Sequence, residues 1–197
     1  RLLIAHVNLR GLNLAYEQPF LKEFYNRYAD VVYCDGMGVK LGAFLSGKAI
    51  QERYTLADWV WDLAERASEE RLSLFLLGNP PGVADSAAKE LQMRFPRLRI
   101  AGVQHGYFEK EPQSSENEAV IQRINRLNPD ILLVGFCMPI QEKWLTENWS
   151  RLNVHIAVTC GALFEYLAGQ LRRGPRWMTQ HYLEWLARIL ISPGRYS

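Results

Sequence analysis

Cysteine is scarce in this chain, and no two of its three copies, Cys34, Cys137 and Cys160, stand close enough for a C-x-x-C pair. An odd number at wide spacing excludes a disulfide framework and points to no zinc site, so a reducing cytosol is the expected compartment. Long apolar runs are missing too: none approaches the roughly 18 residues that a membrane-spanning helix needs. No signal peptide precedes Arg1, and because the first residue is not Met, further residues are expected upstream. There is no internal repeat and no low-complexity tract. Nor is there a large excess of charge of one sign, since the formal net charge is only +2.

What is present describes an ordinary globular chain. With 48% hydrophobic and 22% charged residues over 197 positions, the sequence suits one domain with a substantial core, and disorder is not expected over most of it. The small net charge is unevenly spread. Positions 171–197 hold five arginines (Arg172, Arg173, Arg176, Arg188, Arg195) against one acid, Glu184, so the preceding stretch sums to −2. A basic tail on a slightly acidic body suggests an anionic partner at that end, whether lipid, pyrophosphate or nucleic acid.

Short apolar runs alternate with longer helical patterns. Strands are expected over 2–7, 31–34, 72–77, 99–103, 131–134 and 154–158, with helices over 16–28, 39–45, 56–68, 83–95 and 116–127 and another starting at Pro139. This alternation predicts an α/β fold: a mainly parallel, Rossmann-like sheet with flanking helices, here over 1–170, followed by a C-terminal helical appendage over 171–197 that is expected to continue past Ser197. Such sheets bind ligands beyond the carboxyl ends of their strands. Asn8, Asp35, Gly78, His105, Gly135 and Thr159 all fall there.

The most informative stretch runs from the second strand to Asp58. Asp35-Gly36-Met37-Gly38 breaks the strand with two glycines, which lets backbone N–H groups turn toward a phosphate or a sugar. Arg53, Thr55 and Asp58 follow at spacings of two and three, so one helix entry can present all three. Taken singly they read as a tight turn, a surface ion pair and a helix cap. A second stretch, Gly135 to Trp144, places Pro139 at a helix start whose N–H groups and dipole suit a diphosphate, with Gln141 and Glu142 in the first turn. Helix-start chemistry alone would also explain those two residues.

As a set, these residues resemble the WecG/TagA/CpsF family of bacterial glycosyltransferases. DGMGV and R-x-T-x-A-D look like the family's DGxGV and R-x-x-G-x-D, and 135–142 looks like its G-x-G-x-P-K-Q-E. LGNPPGVA (77–84) is similar to its LGG-x-P-G-V-A turn, HGYF (105–108) contains its G-Y-F, and GPRWM with LEWL (174–178 and 183–186) resembles its A-P-R-W-M and L-E-W-L appendage. The resemblance spans nearly the whole chain. Departures are Cys137 for a glycine, Ile140 for a lysine, Ala57 for a glycine, and His6 where the family often has Thr two residues before Asn8.

The resemblance implies an inverting, metal-independent transfer of a sugar from a UDP donor to undecaprenyl-diphosphate-linked N-acetylglucosamine, without a cofactor, at the cytoplasmic face of the cell membrane. N-acetylmannosamine or its uronate would be the sugar, with glucose as the alternative. An acceptor hydroxyl that attacks an anomeric carbon needs a base, for which Asp58 is the first candidate and Asp35 the second. Arg53, the Pro139 helix start, Gln141 and the tail cations Arg172 and Arg176 could stabilise the departing UDP. His6, Asn8, Gly36, Gly38, Tyr107, Gly135 and Glu142 complete the expected substrate contacts. No D-x-D occurs in the chain, which weakens a magnesium-dependent mechanism.

Helix 175–191 would carry Met178, Tyr182, Trp185 and Ile189 on one apolar stripe beside the arginines, a pattern suited to peripheral membrane contact rather than to nucleic acid. Packing on the body or on another subunit is the competing explanation, and homo-oligomerisation stays open. Three other activities deserve comparison. A dinucleotide oxidoreductase is disfavoured because Gly36, Gly38 and Gly42 form G-x-G-x-x-x-G, one residue too long, and because Asp58 is expected on a helix. A UDP-sugar epimerase or isomerase would use His105 or His6, and a non-catalytic nucleotide-binding protein would tolerate Cys137 and Ile140.

Overall fold

The computed structural model describes residues 1–171, 174, 175 and 178. The expected appendage helix over 175–191, with Arg172 and Arg176, lies outside the described residues apart from Pro175 and Met178.

Six strands, β1 (Leu2–Val7), β2 (Val31–Cys34), β3 (Ser73–Gly78), β4 (Arg99–Gln104), β5 (Ile131–Gly135) and β6 (Ile156–Thr159), form one sheet in the order β2-β1-β6-β5-β3-β4. Every pairing is parallel. The helices are α1 (Leu9–Glu17), α2 (Pro19–Glu23), α3 (Met37–Leu45), α4 (Leu56–Glu69), α5 (Val83–Arg94), α6 (Ser115–Leu127), α7 (Ile140–Asn148) and α8 (Leu163–Leu167). Parallel neighbours need a crossover connection, and helices fill that role here.

The helices cover both faces, which is why the central strands read as unbroken apolar runs. Leu74 and Leu76 of β3 face a layer built from α4, α5 and α8, through Val60, Ala64, Ala87, Leu91 and Phe164. Phe75 and Leu77, one residue out of phase, face the opposite layer of Leu21, Phe24, Ile121, Ile124, Trp144 and Leu145. Two aspartates secure the amino edge in the same manner. Asp30 Oδ2 accepts the Leu3 N–H at 2.7 Å, and Asp130 Oδ2 accepts the Ser73 N–H and Ser73 hydroxyl, each at 2.7 Å.

The expected helix over 16–28 is corrected. Asn8 caps α1 by accepting the Gly11 N–H, that helix ends before Gln18, and Pro19 opens α2, which runs into a π-helical turn over Phe24–Tyr28. Proline at a first helical position starts a new helix more readily than it continues an old one. Strand β6 begins at Ile156 rather than 154, and Pro139 stands as the N-cap of α7 rather than inside it. Helix α8 was not anticipated.

Candidate active site

The carboxyl ends of β1, β2 and β6 converge on a cluster of polar side chains. β1 is central to it because it pairs with β2 on one side, His6 opposite Tyr33, and with β6 on the other, Ile4 opposite Val158. The Asp35 N–H continues the β1–β2 ladder by donating to Val7 O at 2.8 Å, which holds the first residue past β2 against the end of β1. Gly36 then turns the chain at φ 103°, a left-handed conformation that favours glycine, and α3 begins. From the far end of the 46–55 loop, the Tyr54 N–H donates to Cys34 O at 3.0 Å, so Thr55 is returned to the same edge. Its hydroxyl donates to Asp35 Oδ1 at 3.2 Å. Asp35 thus keeps its second carboxylate oxygen for a further donor.

His6 is buried in β1 beside this carboxylate. Its Nδ1 lies 3.1 Å from Thr159 O and 2.9 Å from Thr159 Oγ1. A main-chain carbonyl can only accept, so Nδ1 carries the proton and Nε2 holds a lone pair. The Thr159 hydroxyl oxygen also accepts the His6 backbone N–H at 3.1 Å. Burial lowers the His6 pKa against the opposing pull of the Asp35 charge and the Thr159 carbonyl, which favours neutral imidazole.

Beside β6, the loop after β5 contributes Gln141 and Glu142, both fully buried in the first turn of α7. Gln141 does not cap its own helix. Its Oε1 accepts the Gly161 N–H at 3.0 Å, tying α7 to the turn after β6, and its Nε2 donates to Glu142 Oε1 at 2.8 Å. The other Glu142 oxygen, Oε2, is buried with no hydrogen-bond partner among the described residues. Burial pushes the Glu142 pKa up to about 7, with the Gln141 hydrogen bond opposing the shift. Ahead of this turn, Cys137 sits at φ 65°, the conformation that glycine adopts without strain.

The other expected site residues are held by different elements. Asp58 is exposed in the first turn of α4, its own N–H donating to Thr55 O at 2.8 Å, while Arg53 is half-buried in the preceding loop. Asn8 commits its side-chain oxygen to capping α1 and retains the amide as a donor. Gly38 allows α3 to approach Leu9 closely, since an added Cβ would stand 3.2 Å from that side chain. Tyr107 follows β4, at the other end of the sheet, with its ring largely exposed. A hollow of about 710 Å³ bounded by Arg71, Arg97 and Arg99 lies at the opposite, amino edge and touches none of these groups. Among the described residues, Gly161 was missed as a functional neighbour, and Thr159 was named only for its position at a strand end.

The arrangement can take a proton onto Asp35, accept hydrogen bonds at His6 Nε2, and offer donors from the backbone at Gly36 and the amide of Asn8. A polar substrate seated across β1, β2 and β6 would meet all four. Comparison with known proteins bears directly on what that substrate is. The description of glycosyl transferases of the WecG/TagA/CpsF family matches residues 1–197. Among curated relatives, the N-acetylglucosaminyldiphosphoundecaprenol N-acetyl-beta-D-mannosaminyltransferase of Bacillus subtilis is 27% identical over 163 residues, which cover 83% of this chain and 61% of the relative. A Staphylococcus aureus protein of the same name is 27% identical over 190 residues, covering 96% of this chain and 72% of the relative. The chain therefore spans about six-tenths of the length of the Bacillus relative it matches.

Proposed function

The chain belongs to the WecG/TagA/CpsF family of glycosyl transferases, and from that premise we propose that it moves N-acetylmannosamine or its uronate from a UDP donor to undecaprenyl-diphosphate-linked N-acetylglucosamine, with inversion and without a metal. The division into an α/β body over 1–170 and a basic appendage over 171–197 is part of the proposal, as is peripheral placement at the inner face of the cell membrane. No helix among the described residues is long and apolar enough to cross a membrane. The relatives' names supply the sugar and the lipid-linked acceptor. The missing D-x-D supports the metal-free route.

The observation that carries the chemistry is the carboxylate at the end of β2. Asp35 is held by its backbone bond to β1 and by the Thr55 hydroxyl, beside His6, whereas Asp58 lies exposed one helix entry away. The geometry favours Asp35 over Asp58 as the base that takes the acceptor hydroxyl's proton. His6 Nε2 then accepts a hydrogen bond from a substrate hydroxyl where a threonine could offer only its own hydroxyl. Arg53 and the backbone N–H groups around Gly36 support the departing diphosphate. Gln141, with Glu142 behind it, holds the Gly161 turn that closes the cluster on the β6 side. The tail cations Arg172 and Arg176 would approach the acceptor diphosphate.

A panel of UDP-sugars assayed with one short-chain lipid-diphosphate N-acetylglucosamine acceptor, with products identified by mass spectrometry, tests the proposal. UDP should appear only when donor and acceptor are both present, and the product should gain one N-acetylhexosamine or its uronate. A glucose product would shift the donor assignment. UDP-sugar isomerisation without any acceptor would replace the transfer reading with an epimerase.

A further inference from the structure

Two helices that leave the cluster expose apolar faces that the body does not cover. In α3, Leu41, Phe44 and Leu45 stand at spacings of three and one, a single helical face, and Phe44 and Leu45 are 73% and 77% exposed. In α1, Leu9, Leu12 and Tyr16 repeat at three and four, with Tyr16 93% exposed. The two helices meet where Gly38 approaches Leu9, so these faces adjoin. Single exposed apolar residues are ordinary, but six large ones on two touching helices mark a contact surface.

We propose that this paired face of α1 and α3 docks on an anionic lipid bilayer and presents the β1–β2 strand ends to the headgroup layer. Three features select lipid as the occupant. First, α3 and the residues after it, 37–51, include Lys40 and Lys48 and no acid, and Arg10 lies in the first turn of α1. Cations bordering an exposed leucine and phenylalanine face match anionic headgroups above acyl chains. Second, α1 starts directly after Asn8 and α3 two residues after Asp35, across the Gly36 turn, so a bilayer under them lies beside the polar cluster. Third, the acceptor named for the relatives carries an undecaprenol, which stays in the hydrocarbon while its diphosphate and sugar reach the headgroup region. That third feature rests on the proposed transfer reaction; the first two do not.

Flotation of the full chain with vesicles of phosphatidylcholine and graded phosphatidylglycerol tests the surface. Changing Leu41→Ser, Phe44→Ser and Leu45→Ser together should lower the vesicle partition coefficient by about 10³-fold or more, given what burial of three such side chains contributes. The loss should persist in high salt. A Lys40→Ala, Lys48→Ala chain should lose only the salt-sensitive part. In the unmodified chain, hydrogen exchange of the α3 amides should slow on vesicles, which keeps the test independent of whether the triple variant folds.

Unchanged flotation of the folded triple variant, or unchanged α3 exchange, overturns the proposal. So does a shift of the triple variant to a smaller assembly, which would make a second copy the occupant, or a large fall in melting temperature with binding intact, which would make the chain's own C-terminal segment the occupant. Failure of the transfer reaction reads differently. In that case no UDP is released on any acceptor while flotation still depends on the face. If the reaction is right and the face is right, the triple variant keeps turnover on a water-soluble short-chain acceptor and loses it on an acceptor embedded in vesicles.

Discussion

The carboxyl edge of the sheet is built in two ways. At β3 and β5 it is closed by backbone: a Cβ on Gly78 would stand 2.3 Å from Gly135 O, and one on Gly135 would meet Gly161 O at 2.9 Å. The Asn79 N–H donates to Gly135 O at 3.0 Å, and the Gly106 N–H to Asn79 O at 2.8 Å, so loops from three strands lie against one another with no room for a side chain at Gly78 or Gly135. At β1, β2 and β6 the same edge is filled by two bonded pairs, His6 with Thr159 and Asp35 with Thr55, which leave an acceptor on Asp35 and on His6 for a ligand. One end supplies rigidity and the other chemistry. Gln141 bridges them, because it grows from the closed end and grips Gly161 at the open one.

The comparison breaks most visibly at Asp35. Asp35→Asn should cut UDP release by about 10²- to 10⁴-fold with little change in melting temperature, the usual effect of removing a positioned base. Asp58→Asn should cost much less in the same assay, and an equal or larger loss at Asp58 would transfer the role to that residue. Next in size is the closed end. Gly78→Ala forces a methyl into the Gly135 carbonyl at a backbone φ of 142°, so stability should fall by about 3 kcal/mol or more, read from the denaturant midpoint.

At the bridge, the raised Glu142 pKa gives a signed pH effect. Its ordinary value is 4.5 and its folded value about 7, so between those limits the folded chain holds a proton that the unfolded chain has released. Stability from this group is fully present below about pH 4.5 and is lost as pH rises through about 7. The difference of roughly 2.5 units corresponds to about 3 kcal/mol as an upper figure. Glu142→Gln keeps an oxygen for the Gln141 amide and should flatten that part of the stability profile, measured by chemical unfolding at pH 5 and pH 8. A profile that still slopes alike in both chains would remove Glu142 as its source. The smallest effect is expected at Cys137. Replacing it with Gly relieves a left-handed φ and should raise stability by about 0.5–1 kcal/mol, with UDP release unchanged.

The two ends were also unequally legible in the sequence. Strands β1 and β2 could be placed to the residue, because their β-formers are bounded by Asn8 and by Asp35-Gly36. At the closed end Gly78 and Gly135 marked strand ends, and their close backbone approach emerged only in the fold. The open end was less legible still. Asp35 and Asp58 share a motif, and nothing local tells which is enclosed; that follows from the 46–55 loop returning Thr55 to the end of β2. Gln141 reads as a helix-start residue until Gly161, 20 positions later, is folded against it. Helix α1 was hidden because Leu9 and Leu12 face outward while Leu14 and Ala15 pack on the core, so apolar residues fall on both faces and the periodicity is blurred. The single helix expected over 16–28 ignored Pro19 as a start signal.

β1 lies between β2 and β6 in space, although β6 is the last strand of the sheet in the chain. The bond between His6 and Thr159 joins residues 153 positions apart. On the ribosome, β1 and β2 therefore emerge early and stay without the strand that separates them from β5 until residues 156–159 have been synthesised. Pairings of such long range form late, after the local βα units over β3, β4 and β5 can already have collapsed. The polar cluster is then the last part of the body to be assembled, and a nascent chain stalled before β6 would hold a formed core and no site.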